Sequence, residues 1–344
     1  MAEPKNHEIR LKSRPVGMPS EGDFELAESP VPSPGPGQVL VRNIYMSVDP
    51  YMRGRMMDRE SYVPPFQVGE ALSGGAIGQV VQSNNPGFEK GDFVNNFSGW
   101  REWFVSGGGG DLQKVAAMPG IGLGAYLGAL GMPGLTAYAG LLKVGELKDG
   151  ERVFVSAASG AVGAIVCQIA KNKGCYVVGS AGSDEKCDWL KREARVDATI
   201  NYRTAGDLTK ALRAAAPEGI DVYFENVGGA HLDAALANMR MHGRIAVCGM
   251  IEQYNATTPP PGPVNFINVL PMRLTIKGFI VTDYASLTPD FLRDMIAWHR
   301  EGKMKWHETI DDGIENAPRA FLKLFKGENF GKMLVRLAPD PTGA

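Results

Sequence analysis

The chain has 344 residues, 44% of them hydrophobic, with 36 lysines and arginines against 38 aspartates and glutamates. That length and apolar content can bury a substantial core and fit two domains better than one. The near-zero net charge removes the general electrostatic reason to expect nucleic acid or an anionic membrane as partner.

The first segment, MAEPKNHEIRLKSRP, carries scattered charges and no apolar run of signal-peptide length, so the chain is expected in the cytoplasm. Up to about Ala125 the pattern is β-rich: PGPGQVLVRNIYMSVD, GGAIGQVVQSN and GDFVNNFSGWREWFV are strand-like runs separated by glycine, proline and asparagine turns. The weakly polar run IGLGAYLGALGMPGLTAYAGLL is cut by Pro133 and glycines, and reads as a packed helix entry rather than a membrane span.

From Glu151 onward, short β-branched runs alternate with helix-length segments, the pattern of a parallel sheet with crossover helices. RVFVSAA is a strand, AVGAIVCQIAKNKG a helix with Val162, Ile165, Val166 and Ile169 on one side, and CYVVGSA the next strand. The alternation continues through DEKCDWLKREA, DATINY, LTKALRAAA, DVYFENV, AHLDAALANMR and RIAVCGM. The expected fold class is therefore α/β: a doubly wound, Rossmann-type nucleotide-binding domain preceded by a β-rich domain. After FLRDMIAWHREGKM one more strand, helix and strand follow, WHETIDD, ENAPRAFLKLFKG and GKMLVRLA, and periodicity alone leaves open which sheet they join.

Between the first strand and helix of this alternation lies SAASGAVG, with alanine at the first glycine position of a dinucleotide fingerprint. Small residues there let the backbone approach a pyrophosphate, whose charge meets unpaired N–H groups at the helix N-terminus. The end of the second strand then bears on the choice of dinucleotide. An acidic residue suits NAD, and cations suit the extra phosphate of NADP. Here the positions are Ser180, Ala181 and Gly182. Asp184 and Glu185, after Ser183, fit the first turn of a helix, where acids complement its dipole. Lys186 projects from the same turn, which favours NADPH.

The four cysteines, Cys167, Cys175, Cys187 and Cys248, form no C-x-x-C pair and read as buried, reduced thiols. A catalytic zinc needs three Cys, His or acidic ligands, and a structural zinc usually four closely spaced cysteines. Before Val166 the chain has no cysteine and one histidine, His7, so no metal is expected. A β-rich domain followed by a nucleotide domain suggests the medium-chain dehydrogenase/reductase superfamily. Without zinc, reduction of an activated C=C bond is the favoured chemistry.

The strings SVDPYMRGRM, GMPGLTAYAGL, AASGAVG, GSAGSDEK, YFENVGG, CGMIEQYN, KGFIV and KGENFGKMLV occur in order through nearly the whole chain. Together they resemble the zinc-independent leukotriene 12-hydroxydehydrogenase/prostaglandin reductase family, which includes plant alkenal double-bond reductases and bacterial curcumin reductases. RESYVPPFQVGE is most similar to the bacterial branch. The resemblance implies a GroES-like catalytic domain over residues 1–127 and 304–344 and a Rossmann NADP(H)-binding domain over 128–303. It also implies an NADPH-dependent reductase of α,β-unsaturated ketones and aldehydes, working as a homodimer.

By motif, Gly160, Ala161, Val162, Gly163 and Ala164 would hold the pyrophosphate, with Lys186 and Tyr202 on the adenosine 2′-phosphate. Asn226, Cys248, Gly249, Met250, Ile251 and the residues to Tyr254, with Phe279, Ile280, Val281 and Asn329, would surround the ribose and nicotinamide. Each also has a plainer reading: Tyr202 ending a strand, Asn226 favouring a turn, Phe279 and Val281 alternating in a half-buried strand, Cys248 a core thiol.

In the implied reaction a hydride reaches the β-carbon, negative charge builds on the carbonyl oxygen, and a proton follows to the α-carbon. Tyr51 and Tyr254 are the candidate donors at the substrate, and Tyr62 a further substrate-pocket candidate. Relatives with a tyrosine shortly before the GF motif use it at the substrate; NVLPMRLTIKGF has none. The alternatives are a quinone oxidoreductase on the same scaffold and an NADPH-binding protein without turnover.

Overall fold

The computed structural model describes residues 5–343. They divide into two compact units: one holds the chain up to Leu127, Glu308–Asn329 and the chain from Met333; the other holds Gly128–His307 and Phe330–Lys332.

The first unit is built on strands, as the turn-rich pattern predicts. Lys5–Leu11 (β1) and Phe24–Pro30 (β2) form an antiparallel pair. Val39–Ser47 (β3), Ala76–Ser83 (β4), Phe93–Asn96 (β5), Trp103–Ser106 (β6) and Leu112–Val115 (β7) contribute to a larger sheet. β3 is buried at every position but Arg42, which suits a strand with neighbours on both edges. After β3 the chain makes one helical turn, Met52–Arg55 (α1), too short to leave a periodic signal in the sequence. The core centres on Trp100, fully buried, stacked on Phe24 at 6.0 Å and edge-on to Phe321 at 6.2 Å.

The second unit opens with Met132–Ala139 (α2), which carries Pro133 in its first turn, where no backbone N–H is needed. Six parallel strands follow: Arg152–Val155 (β8), Tyr176–Ala181 (β9), Ala198–Asn201 (β10), Ile220–Glu225 (β11), Met239–Val247 (β12) and Thr275–Gly278 (β13). Their spatial order, β10-β9-β8-β11-β12-β13, is that of a Rossmann sheet. The order reverses between β8 and β11, and the crevice beyond their carboxyl ends is where such sheets bind ligands. β8, β9 and β11 are almost continuously buried, as strands covered by helices on both faces must be.

The connecting helices are Gly163–Asn172 (α3), Asp184–Arg192 (α4), Leu208–Ala215 (α5), Gly229–Asn238 (α6), Val269–Met272 (α7) and Thr288–Arg300 (α8). Capping sets several boundaries. Ser183 Oγ accepts the Lys186 N–H at the start of α4, and Asp207 accepts the Lys210 N–H at the start of α5. α3 starts two residues later than the apolar pattern predicts, because residues 156–162 form an irregular turn. α6 ends at Asn238 rather than at Arg240, where β12 has already begun. β13 has no counterpart in the sequence pattern: all four of its residues are exposed, so it shows neither an apolar run nor alternation.

The chain then returns to the first unit. Glu308–Asp312 (β14), the amphipathic helix Ala317–Lys326 (α9) and Lys332–Arg336 (β15) complete the sheet β14-β15-β3-β4-β5-β7, with β6 also paired to β3. β15 runs antiparallel to β3, which answers the question periodicity left open. Phe321, on the apolar face of α9, is 1% exposed, and burial of such a side chain contributes about 1.5–3 kcal/mol.

Candidate active site

The glycine turn sits between β8 and α3. Ala157 adopts a left-handed φ of +47°, and the Gly160 N–H returns to the Ala157 carbonyl at 2.9 Å. That tight return is why Gly163 has no side chain: a Cβ there would stand 2.3 Å from the Ala157 oxygen. The alanine at the first fingerprint position, Ala158, is buried, and its N–H is spent on the Ser180 carbonyl of β9 at 2.8 Å. Ser159 O accepts the Gly331 N–H at 2.9 Å and Ala164 N–H donates to Gly160 O at 3.1 Å. Residues 160–164 thus wrap the start of a ten-residue helix, and among the described residues the N–H groups of Ala161, Val162 and Gly163 have no backbone acceptor.

At the carboxyl end of β9, Gly182 faces the Tyr202 phenol, and a Cβ at 182 would lie 2.7 Å from its oxygen. Lys186, in the first turn of α4, is held below the usual lysine range by burial and by the nearby Arg203 guanidinium. Two cations this close repel, which favours an anion between them. Asp184, the acidic residue nearest this end, accepts the Asn201 side-chain amide at 2.8 Å within the first turn of α4. Arg203 follows Tyr202 in the string NYR, and the sequence reading passed over it.

Beneath Tyr202 lies His231 of α6, 5% exposed, its ring edge-on to the Tyr202 ring at 5.2 Å. His231 Nε2 and Ser180 Oγ share a hydrogen bond of 2.9 Å. Burial lowers the imidazole from 6.5 to about 4, so it is neutral at pH 7. As pH falls, the unfolded chain takes up this proton first, so stability is lost between pH 6.5 and about 4. The loss approaches about 3 kcal/mol at the acid end. Urea unfolding across that range should show a shallower acid loss for His231→Gln than for wild type; parallel curves would remove His231 from the account. A lone histidine on a helix carries no sequence signal for this placement.

At the switch point, β11 and β12 are laced together. Glu225 O accepts the Cys248 and Gly249 N–H groups at 2.9 and 3.1 Å, and Asn226 O accepts the Ile251 N–H at 3.2 Å. The Asn226 side-chain amide donates to Ser156 O at 2.7 Å, and its backbone N–H to Ser156 Oγ at 2.9 Å. The Glu225 carboxyl, fully buried, accepts from Tyr223 OH at 2.7 Å, Ser156 Oγ at 3.0 Å and Val227 N–H at 2.6 Å, all on Oε1. Burial raises its proton affinity. Burial also pushes the Cys248 thiol up to about 12, which leaves it an unreactive neutral group.

Tyr254 ends the short helical turn Ile251–Gln253, and its oxygen accepts the Met250 N–H at 3.3 Å. Among the described residues its hydroxyl proton has no acceptor, and burial raises the phenol above its ordinary value. Phe279 is edge-on to Phe224 at 6.3 Å and to Tyr284 at 6.1 Å. β13 stops at Gly278 and Val281 opens the helical turn Val281–Leu287, so Phe279, Ile280 and Val281 do not alternate as a strand.

Three predicted residues belong to the first unit. Tyr51 immediately precedes α1; its hydroxyl oxygen is buried with no hydrogen-bond partner, and burial, reinforced by Asp49, raises the phenol far above its ordinary value. Tyr62 lies on a loop and is 62% exposed. Asn329 falls in the segment after α9. Among the described residues no group of three or more His, Cys, Asp or Glu side chains is arranged to hold a metal ion, and all four cysteines are free thiols.

A parallel nucleotide-binding sheet joined to a β-rich unit is the architecture of a dehydrogenase or reductase, and comparison with known proteins narrows the class. Residues 7–115 match the family described as the N-terminal domain of oxidoreductase, and residues 161–298 the one described as zinc-binding dehydrogenase. The NADPH-dependent curcumin reductase of Escherichia coli is 46% identical over 98% of this chain and 98% of its own. The NADP(+)-dependent 2-alkenal reductase of Nicotiana tabacum is 45% identical over 98% of this chain and 99% of its own. The crystal structure of CurA from Vibrio vulnificus in complex with NADPH superposes with a TM-score of 0.91 at 42% identity, covering 97% of this chain and 99% of that one. The chain belongs to the zinc-independent leukotriene 12-hydroxydehydrogenase/prostaglandin reductase family of the medium-chain dehydrogenase/reductase superfamily.

Proposed function

We propose that the protein reduces the C=C bond of α,β-unsaturated ketones and aldehydes with NADPH. The observation that carries this reading is full-length likeness to reductases named for curcumin and for a 2-alkenal, both conjugated carbonyl compounds. The residues present fit the cofactor. Gly160, Ala161, Val162, Gly163 and Ala164 offer close backbone approach to a pyrophosphate, with the N–H groups of Ala161, Val162 and Gly163 left to meet its charge. Lys186 and Arg203, with Tyr202 beside them, suit the 2′-phosphate that distinguishes NADPH from NADH. Asn226, Cys248 to Ile251, Phe279 to Val281 and Asn329 take the ribose and nicotinamide side.

Bound NADPH supplies the hydride that reaches the substrate β-carbon. The C=C electron pair then shifts toward the carbonyl, so negative charge collects on the oxygen, and a proton must arrive at the α-carbon. Tyr254 suits the donor role: the Met250 N–H occupies one lone pair of its oxygen, and its proton is unspent. Tyr51 suits the role equally, its buried hydroxyl having no partner. A preorganised donor at a developing oxyanion contributes on the order of 3 kcal/mol. Tyr62, exposed on its loop, serves substrate contact. No step calls for a metal.

Free thiols suit a reducing compartment, and we place the protein in the cytoplasm. No helix among the described residues is long and apolar enough to cross a membrane. A homodimer through β13 accounts for an otherwise costly surface: Val264, Phe266, Ile267, Leu270, Ile276 and Met241 are exposed around an edge strand with one free side. Leu270→Asp is expected to halve the mass measured by light scattering after gel filtration; an unchanged mass would contradict this interface.

The direct test follows NADPH oxidation with a 2-alkenal, an enone and a quinone, and identifies each product. Saturated carbonyl products are expected from the first two. Turnover of the quinone alone, or tight NADPH binding without turnover, would overturn the reading.

A further inference from the structure

The first unit holds a buried cation that the reaction described so far does not use. Arg55 ends α1, four residues after Tyr51, so both side chains leave one face of the turn. The guanidinium is 8% exposed and lies over the Phe66 ring at 4.0 Å. Its Nε donates to Pro64 O at 2.9 Å and its Nη1 to Ser73 O at 3.1 Å. Among the described residues Arg55 makes no ion pair with a carboxylate. A buried guanidinium held only by carbonyls and aromatic faces is costly, whereas its neighbour Arg53 turns away to the Gly17 carbonyl at 2.9 Å.

The ionisable groups facing Arg55 are Tyr51 and Tyr62. Facing Tyr51 are Asp49, Arg55 and Tyr62. Burial and Asp49 raise the Tyr51 phenol, and Arg55 opposes them. The guanidinium lies close enough to the Tyr51 oxygen for a hydrogen-bonding contact to oppose burial at the phenol, although the contact is too loose to count as a regular hydrogen bond. Tyr51 must gain partial negative charge as its O–H polarises toward a substrate oxygen, and Asp49 alone would penalise that change.

We propose that Arg55 is a positioning residue that acts through Tyr51. Its cation offsets Asp49, stabilises the charge gathered on the Tyr51 oxygen while that hydroxyl donates to the substrate carbonyl, and holds the phenol toward the substrate. The O–H bond of Tyr51 need not break. This rests on the reading of Tyr51 as a substrate donor given above.

The test is a double-mutant cycle on enone reduction at saturating NADPH, with Tm and NADPH Kd as controls. In the wild-type background R55Q is expected to lower kcat/KM about tenfold, within the coupling range of residues in contact. In the Y51F background the same substitution should cost less than twofold. R55K, which keeps the charge, should recover most of the loss at wild-type Tm and NADPH Kd. An equal R55Q loss in both backgrounds, or R55K no better than R55Q, would overturn the role of Arg55 while leaving Tyr51 as donor. Wild-type kcat/KM in Y51F alone would overturn the Tyr51 reading and this inference with it.

Discussion

Replacing Lys186 and Arg203 together with alanine should raise the KM for NADPH by about two to three orders of magnitude and leave that for NADH within about twofold. Each hydrogen bond from a cation to a phosphate contributes about 1.5–3 kcal/mol. Two such contacts, less the relief of their mutual repulsion, leave about 3–4 kcal/mol of preference. Both side chains come from the carboxyl edge of the sheet, Lys186 from the first turn of α4 and Arg203 from the end of β10. Steady-state kinetics with the two cofactors checks the result, and equal increases in both KM values would remove the phosphate contact. The single substitution Lys186→Ala should show the same selectivity at smaller size.

The second large effect concerns the phenols. Tyr51→Phe and Tyr254→Phe should each lower kcat/KM for an enone by about a hundredfold, the loss of one preorganised donor, with the NADPH Kd unchanged. Burial raises both phenols above the ordinary tyrosine value, so the ionised form is disfavoured and both stay protonated at neutral and mildly alkaline pH. The pH profile of kcat/KM should accordingly show no falling limb from either group below about pH 10. Wild-type kcat/KM in both variants would mean that neither hydroxyl stabilises the reacting oxygen.

Much of the fold could be read from the sequence wherever burial is two-sided or amphipathic. Val153, Phe154 and Val155, and Val177 and Val178, announce central strands of a parallel sheet because helices cover both faces. α9 announces itself through Phe321 and Leu322 on one face and Lys323 and Lys326 in its last turn. β13 does not, because an exposed edge strand need satisfy no pattern, and α1 is one turn long. The destination of β14 and β15 depends on long-range pairing with β3, which periodicity does not encode.

The candidate site divides in the same way. The turn around Gly160 and Gly163 is a local feature and is visible as a string. Lys186 is legible from its place in the first turn of a helix after the second strand and Tyr202 through the family resemblance, whereas Arg203, one residue further, is not, because only tertiary structure brings it beside Lys186. His231 and Glu225 look like ordinary helix and strand residues until the sheet places them under Tyr202 and against Ser156. The uncompensated burial of Arg55 is equally invisible in one dimension, since a missing counter-ion is a statement about three-dimensional neighbours.

The most direct measurement is the fate of the hydride. NADPH carrying deuterium at the transferable C4 position, incubated with the protein and an enone, should place one deuterium on the β-carbon of a saturated ketone, as read by NMR. Deuterium on the carbonyl carbon of an allylic alcohol, or NADPH oxidation with no label in the carbon skeleton, would contradict the account.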